Sequence, residues 1–336
     1  AEVPEEGPLN IIGVGSCPSR GLRKGVVNNI ESTVESIKKA VEEAELMAAV
    51  QINSVYTGIA GSHISGENLK GVVALKKQEV TRDDINRAVE SARTLAVIPH
   101  ERRILHVLPR EFMVDDQEGV REPLGMSGNR LEVNVHVITG AVTSAQNIIK
   151  SVNRAGLDVV DIILQPLASS EAVLSAEERE LGVAMVDLGG GTTDLAIFLD
   201  GSIRHTAVLP IGGQNLTKDL AIGLLTSQTD AEKIKVQHGI ARTELVHGHQ
   251  MVEVPSVGDR PPRQFTRRDI AEILEPRVEE IFDLVKREIV RAGYEGMLGA
   301  GVVITGGTSL LEGMPDAAER GLNLPARRGA PTGIGG

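Results

Sequence analysis

Apolar residues along this chain recur in turn at a strand-like and a helix-like period, and that alternation predicts an α/β fold. Asn10–Val14 is a short apolar run with a glycine after it and predicts a strand. From Asn29 to Ala49, Ile30, Val34, Ile37, Val41 and Ala44 share one helical face. Ser54–Ile59 reads as a strand ending in Ala60-Gly61. Thr81-Arg82-Asp83-Asp84 resembles a capping-box start, with Ile85, Val89, Ala92 and Ala96 following at helical spacing. Ile104–Leu108 and Leu131–Ile138 predict strands, the second alternating through Val133, Val135 and Val137. Thr143 to Ala155 reads as a helix stopped by Gly156, and Leu157–Leu164 as a strand, after which Pro166 opens another helix.

Three close strands come next, Gly182–Leu188, Thr193–Leu199 and Ser202–Leu209, joined by a glycine-rich turn and by the hairpin signal Asp200-Gly201. Short helices are expected near Asn215–Leu225 and Asp230–Gln237, and a β-loop excursion over Val252–Phe265. Thr266 to Ala292 carries the longest helical pattern, striped by Ile270, Ile273, Leu274, Val278, Ile281 and Val285. Gly293 stops it, and Pro276 predicts a kink or break. Gly301–Thr305 is a buried strand that runs into Gly306-Gly307 and a helix from Ser309. The mixture is α/β with antiparallel hairpins rather than a pure βαβ series.

Composition narrows the reading. At 336 residues the chain is long enough for two or three domains. Asp and Glu number 46 against 35 Lys and Arg, a net charge of -11, which argues against a general nucleic-acid binder. Aromatic residues are only 2%, with no Trp, so the core must be aliphatic. The 37 glycines call for many tight turns or close approaches. Cys17 is the single cysteine, which excludes an intrachain disulfide and suits a reducing compartment. No stretch approaches the roughly 18 apolar residues of a membrane span.

Several motifs are absent: there is no phosphate-binding P-loop, no G-x-G-x-x-G and no G-x-S-x-G elbow. His247 and His249 have no carboxylate or cysteine beside them and read as solvent-facing loop histidines. The strongest segment is Val183-Ala-Met-Val-Asp-Leu-Gly-Gly-Gly-Thr-Thr-Asp194. A buried strand delivers Asp187, and Gly189, Gly190 and Gly191 let backbone N–H groups approach a polyphosphate. Asp187 can hold a hydrated divalent cation, and the hydroxyls of Thr192 and Thr193 can donate to phosphate oxygens. A plain hairpin needs one or two glycines, not an acid, three glycines and two hydroxyls together. Gly212-Gly213 precedes Asn215 at a helix start, where anions are favoured; read alone it fits a β-to-α turn equally well. Gly306-Gly307 offers a side-chain-free turn for a flat adenine, and alone is as well explained by a close strand-to-helix turn.

Three strand-end glycine turns in this order resemble the phosphate and adenosine motifs of the actin, sugar-kinase and DnaK-type chaperone superfamily. Within it the chain resembles the bacterial FtsA family of cell-division actin homologues over essentially every residue. The most specific pieces are Asn10-Ile-Ile-Gly-Val-Gly-Ser-Cys-Pro-Ser19, Gly61-Ser-His-Ile-Ser65, Glu178-Arg-Glu-Leu-Gly182, Ile234-Lys-Val-Gln-His-Gly239 and Val254-Pro-Ser-Val-Gly-Asp-Arg-Pro-Pro262. The resemblance implies an actin-like ATPase (ribonuclease H-like) fold, with two domains and four subdomains around a nucleotide cleft. Subdomain IA would hold 1–59 and 140–181, IC the family-specific insertion 60–139, IIA 182–213 and 298–336, and IIB 214–297.

By the same resemblance ATP and Mg2+ are the ligands. Asp187, through water, would serve the metal. Asp187, Gly189, Gly190, Gly191, Thr192 and Thr193 match the second phosphate motif, and Gly212, Gly213 and Asn215 the second domain's phosphate-side turn. Glu232 and Lys235 match the pair that reaches ribose and adenine, and Gly306, Gly307 and Thr308 the adenosine motif. Without the resemblance, Glu232 and Lys235 read as a solvated intrahelical ion pair. Gln165 stands near where hydrolysing relatives orient the attacking water; an amide can position water but not take its proton, so hydrolysis is expected to be weak at most, while a plain helix-start Gln before Pro166 explains the residue equally well.

The implied function is a divisome scaffold that polymerises and ties FtsZ filaments to the cytoplasmic face of the inner membrane at the septum. Its partners would be the FtsZ C-terminal peptide, further copies of itself and other division proteins, with no nucleic acid. Arg267, Arg268, Arg277 and Lys286 are the cations offered to an acidic peptide; interleaved Glu279, Glu280 and Glu288 equally suit a solvated face. The family's acidic first phosphate loop and its membrane-binding amphipathic helix have no counterpart within these residues, so both are expected beyond Ala1 and Gly336. The alternatives are a sugar-type kinase, for which no catalytic acid in matching context is found, and a chaperone ATPase, whose following substrate-binding domain is not read here.

Overall fold

Glycines set the path of the first described residues. Leu9–Asn10 (β1) pairs in parallel with Ile334–Gly335 and the chain then runs along the first helix. A Cβ on Gly15 would stand 1.7 Å from the Ala40 carbonyl oxygen, and one on Gly13 2.6 Å from that of Ala44. The expected strand Asn10–Val14 is therefore mostly an extended segment laid on helix backbone, where no ladder forms. Leu22–Arg23 (β2) and Val26–Val27 (β3) form a hairpin whose tip is Lys24-Gly25. The helix Ile30–Ala48 (α1) is capped by Asn29, whose side chain accepts from the Ser32 amide at 3.0 Å. Of its expected apolar face only Val34 is buried. The computed structural model describes residues 1, 9–258 and 260–335. Residues 2–8 and Gly336, at the ends of the expected IA and IIA spans, and Asp259, in the expected β-loop excursion, lie outside it.

After Ser54–Ile59 (β4) the chain forms a separate layer: Ser65–Ala74 (β5), Arg82–Leu95 (α2), Arg102–Val114 (β6), Gln117–Val120 (β7) and Arg130–Ala141 (β8). The antiparallel order is β5-β8-β6-β7. Val133, Val135 and Val137 face α2, as their alternation predicts, and α2 carries the expected capping box between Thr81 and Asp84. A Cβ on Gly71 would be 2.1 Å from the Ala88 carbonyl oxygen, so glycine there lets α2 lie on the sheet. On the other face His136 is fully buried, its Nδ1 2.7 Å from Asn68 Oδ1 and its Nε2 2.9 Å from Thr206 Oγ1. Burial above all, with the charges of His205 and Arg110 adding, lowers its pKa to about 3, so a neutral ring ties this layer to the second half.

Val142–Arg154 (α3) leads to Asp158–Leu164 (β9), parallel to β4, and then to Gln165–Val173 (α4) and Ala176–Leu181 (α5). Val183–Leu188 (β10), Thr193–Leu199 (β11) and Ser202–Leu209 (β12) follow, and after them the helices Gly213–Gly223 (α6) and Gln228–His238 (α7). The excursion is the hairpin Met251–Val254 (β13) with Arg263–Thr266 (β14), ahead of Arg267–Arg291 (α8). Val302–Thr305 (β15), Met314–Leu322 (α9), Ala326–Arg328 (β16) and Ile334–Gly335 (β17) complete the order. The main sheet runs β12-β11-β10-β15-β16. Ala184, Val186 and Leu188 pack toward α6, α8 and α9, while Val183 and Met185 meet Val173 and Leu174 at α4. Burial of both faces is why β10 reads as a continuous apolar run.

Two expectations change here. Pro276 neither ends nor splits α8, which is one helix of 25 residues. Pro276 lies on its exposed side, where water can satisfy the freed carbonyl, and nine buried residues hold the helix in place. The helix expected from Ser309 is a short 3-10 turn, Gly307–Leu310, and α9 begins at Met314 behind Gly313.

Candidate functional site

The carboxyl ends of β10 and β15 and the start of β11 meet at one point. In register Asp187 sits opposite Asp194 on β11 and beside Thr305 on β15. Asp187 is half-buried and accepts a 2.6 Å hydrogen bond from Ser169 Oγ of α4. The sequence signals Ser169 only through its four-residue spacing from Gln165, which puts both on one helical face. Asp194 closes the same motif, which by itself assigns it no role. It is buried, its Oδ1 has no partner among the described residues, and its pKa is pushed up to about 7 by burial first and the Asp187 charge second, against a lowering bond from Thr192. Ser169→Ala is expected to lower stability by about 1.5–3 kcal/mol, the range for a hydrogen bond to a charged group. Urea denaturation reads it, and the loss should largely vanish in an Asp187→Ala background.

The three glycine turns are packed against one another. The amides of Gly213 and Gln214 donate to the carbonyls of Gly189 (2.9 Å) and Gly190 (2.8 Å). Thr308 Oγ1 donates to the Gly189 carbonyl at 3.0 Å. A Cβ on Gly212 would stand 2.6 Å from that same oxygen, one on Gly213 2.3 Å from Thr308 Oγ1, and one on Gly306 2.3 Å from Asp187 Oδ1. Backbone approach is thus what the glycines supply. The first amides of α6 are engaged by loop carbonyls rather than open to an anion, and Asn215 Oδ1 accepts from the Gly212 amide at 3.2 Å. Thr193 departs from expectation: it is fully buried and its hydroxyl donates to the Ile211 carbonyl at 2.8 Å, which removes it from phosphate contact. Thr192 is buried in the same turn.

Glu232 and Lys235 are more than a solvated pair. Lys235 Nζ reaches Glu232 Oε2 (2.8 Å), Thr217 Oγ1 (2.9 Å) and the Gly213 carbonyl (3.1 Å), and so ties α7 to α6. Beside it is a cavity of about 300 Å³ lined by Lys235, Gly239, Arg267, Gly307, Thr308 and Leu311. Arg267 therefore faces this cavity, where it donates to the His238 carbonyl at 3.0 Å and pairs with Glu312. Arg277 holds Asp219 of α6 at 2.6 Å and also pairs with Glu280, and Arg268 pairs with Glu272 at 3.1 Å. The basic set expected to meet a partner is for the most part neutralised within the fold; Lys286 is exposed and, among the described residues, in no ion pair. Gln165 begins α4 with an exposed side chain lying over Gly58, where a Cβ would stand 2.8 Å from its Cγ.

Comparison with known proteins places this geometry. The family described as "Cell division protein FtsA" matches residues 184–335, and "SHS2 domain inserted in FTSA" matches 61–139. Cell division protein FtsA of Pseudomonas aeruginosa is 51% identical over 335 residues, covering 100% of this chain and 80% of the relative. The Neisseria meningitidis protein of that name is 48% identical (100% and 81%), and that of Escherichia coli K12 46% (100% and 81%). Among solved structures, one of a "PilM-PilN type IV pilus biogenesis complex" superposes with a TM-score of 0.64 at 18% identity, over 93% of this chain and 78% of that one. "Ethanolamine utilization protein EutJ from Carboxydothermus hydrogenoformans" follows at 0.51, 18%, 92% and 72%. At such identities these two speak for the actin-like fold alone. The near-half identity across the whole of this chain speaks for more: it belongs to the FtsA family of actin-like cell-division proteins.

Proposed function

We propose that this cell-division protein is an ATP-binding scaffold whose nucleotide lies across the packed glycine turns. The observation that carries the reading is the continuity of the site. The cavity at Gly239, Gly307 and Leu311 has the size for a purine, and Thr308 links it directly to the Gly189–Gly191 phosphate turn. Lys235, Thr308 and the backbone of Gly306–Gly307 would hold the nucleoside, and Gly189–Gly191 with Thr192 the phosphates. The donor set fits Mg2+: Asp187 and the unpartnered Asp194 oxygen are hard carboxylate ligands, suited to a hydrated ion shared with phosphate. Bound there, Mg2+ supplies neutralisation of phosphate charge. Gln165, at the domain-connecting turn, would position a water without accepting its proton, so turnover is slow.

The subdomain reading is IA for 1–59 and 140–181, IC for 60–139, IIA for 182–213 and 298–336, and IIB for 214–297. Family membership supports a filament of copies of this chain and a bond to the FtsZ C-terminal peptide on IIB, with Arg268 and Lys286 the cations left exposed there. It equally supports a septal position on the cytoplasmic side of the inner membrane, reached through an amphipathic helix beyond these residues. Calorimetric titration with MgATP should give saturable binding that Gly307→Ala, crowding the cavity, weakens at least about tenfold, a difference of about 1.4 kcal/mol. Absence of binding to the wild-type chain would remove the nucleotide reading. Phosphorylated product from ATP with glucose or glycerol would replace it with a kinase.

A further inference from the structure

We propose that Lys24, at the tip of the β2–β3 hairpin, reads the terminal phosphate and makes the site prefer a nucleoside triphosphate over a diphosphate. The inference rests on the nucleotide reading above and concerns a residue outside the glycine motifs. The hairpin tip Lys24-Gly25 has φ values of 50° and 77°, both left-handed. An L side chain there costs about 1 kcal/mol relative to glycine, yet the first tip position carries a lysine. The tip is held from behind: a Cβ on Gly25 would stand 3.0 Å from the Ala60 carbonyl, and the Gly21 carbonyl accepts from the amides of Asn28 (2.8 Å) and Asn29 (3.1 Å). It is thereby pressed on the phosphate turn, where a Cβ on Gly191 would be 3.2 Å from Lys24 Cα and 3.3 Å from its nitrogen.

The order of contacts along the site gives the assignment. Gly189 is the end of the turn bound to Thr308 and Gly213, on the purine side. Gly191 is the opposite end, and Lys24 is what it meets. A nucleotide laid from the cavity along Gly189, Gly190 and Gly191 brings its last phosphate to Lys24. The other ammonium at these turns, Lys235, is engaged by Glu232, Thr217 and the Gly213 carbonyl. The Lys24 side chain is exposed and, among the described residues, in no ion pair, and its four-carbon stem can swing over the turn. Because the hairpin and the turn lie more than 160 residues apart in the chain, a phosphate bound by both would join the two halves.

The test titrates fluorescent ATP and ADP analogues with Mg2+ into the wild-type chain, Lys24→Gln and Lys24→Arg. Lys24→Gln should lose about tenfold in ATP affinity and keep ADP affinity within about twofold, the scale of one charge-assisted hydrogen bond. Lys24→Arg should stay within about threefold of wild type for both. The ligand-free melting temperature should hold, since the tip meets the turn through backbone. Equal losses for ATP and ADP, or no loss for either, would overturn the role of Lys24 while leaving the nucleotide site standing. A wild-type chain that binds neither nucleotide would instead overturn the site, and this inference with it.

Discussion

Replacing Gly306 by alanine is expected to disable the site and destabilise the fold together. Its φ is +84°, and a Cβ there would meet Asp187 Oδ1 at 2.3 Å, the Leu188 carbonyl oxygen at 2.7 Å and its carbon at 2.9 Å. Two of these are backbone atoms of β10, which is hydrogen-bonded on both sides and cannot retreat. The third is the acid at the centre of the proposed metal site. The left-handed penalty alone is about 1–2 kcal/mol, and displacing the strand end raises the expected loss to about 3–5 kcal/mol. That corresponds to a melting temperature lower by roughly 5–15 °C, with MgATP affinity falling by at least about a hundredfold. Gly307→Ala is the control. Its Cβ has nothing within 4 Å, so it should weaken ATP binding by crowding the cavity and leave ligand-free stability unchanged. Scanning fluorimetry and calorimetry on the two variants separate the effects. A Gly306→Ala protein melting within about 1 °C of wild type would sink the close-packing argument.

What the sequence disclosed and what it withheld divide along a physical line. Elements whose signals are local were readable. Thr193–Leu199 and Ser202–Leu209 match to the residue, because Asp200-Gly201 sets the turn and Leu195–Leu199 is apolar on both faces of the first strand. The capped start of α2 is local too. Nothing local marks Ser65–Ala74 as a strand: Ser-Gly-Glu-Asn-Leu-Lys-Gly has weak β propensity and exists as one by pairing with all of Arg130–Thr139. Local rules also overstate Pro276, since a helix with Leu274, Val278, Ile281 and Phe282 buried outweighs one missing donor. At the site, the glycines and Asp187 were legible because only a motif demands that spacing. The use of each hydroxyl was not: Thr192 and Thr193 are neighbours in sequence, and strand alternation sends the second into the core. Ser169 and Lys24 reach the turn from other parts of the chain, and no pattern within a motif can announce that.

Asp194→Asn should make the ligand-free protein more stable at pH 8 and leave it nearly unchanged at pH 4. The wild-type carboxyl has a folded pKa raised to about 7, through burial and then the neighbouring Asp187 charge, against about 3.9 in the unfolded chain. A raised acid is held neutral by the fold. Its contribution to stability is present in full below the unfolded pKa and is lost as pH climbs through the folded one, here between about pH 4 and pH 7. Above that window a charged carboxylate is buried beside another, with Oδ1 unpartnered. A rise from about 3.9 to about 7 corresponds to about 4 kcal/mol; asparagine still buries a polar amide, so the part it relieves is about 2–4 kcal/mol. Denaturant melts at pH 4, 6 and 8 should show the variant's advantage opening progressively. A bound cation compensates the same charge, so MgATP should narrow that advantage at pH 8 by stabilising wild type more than the variant. A fixed difference at all three pH values would mean Asp194 does not titrate in this range. A variant less stable than wild type at pH 8 would mean that the carboxylate is welcome where it lies. On the proposed reading, a cation shared with phosphates would offset the repulsion that burial imposes between Asp187 and Asp194.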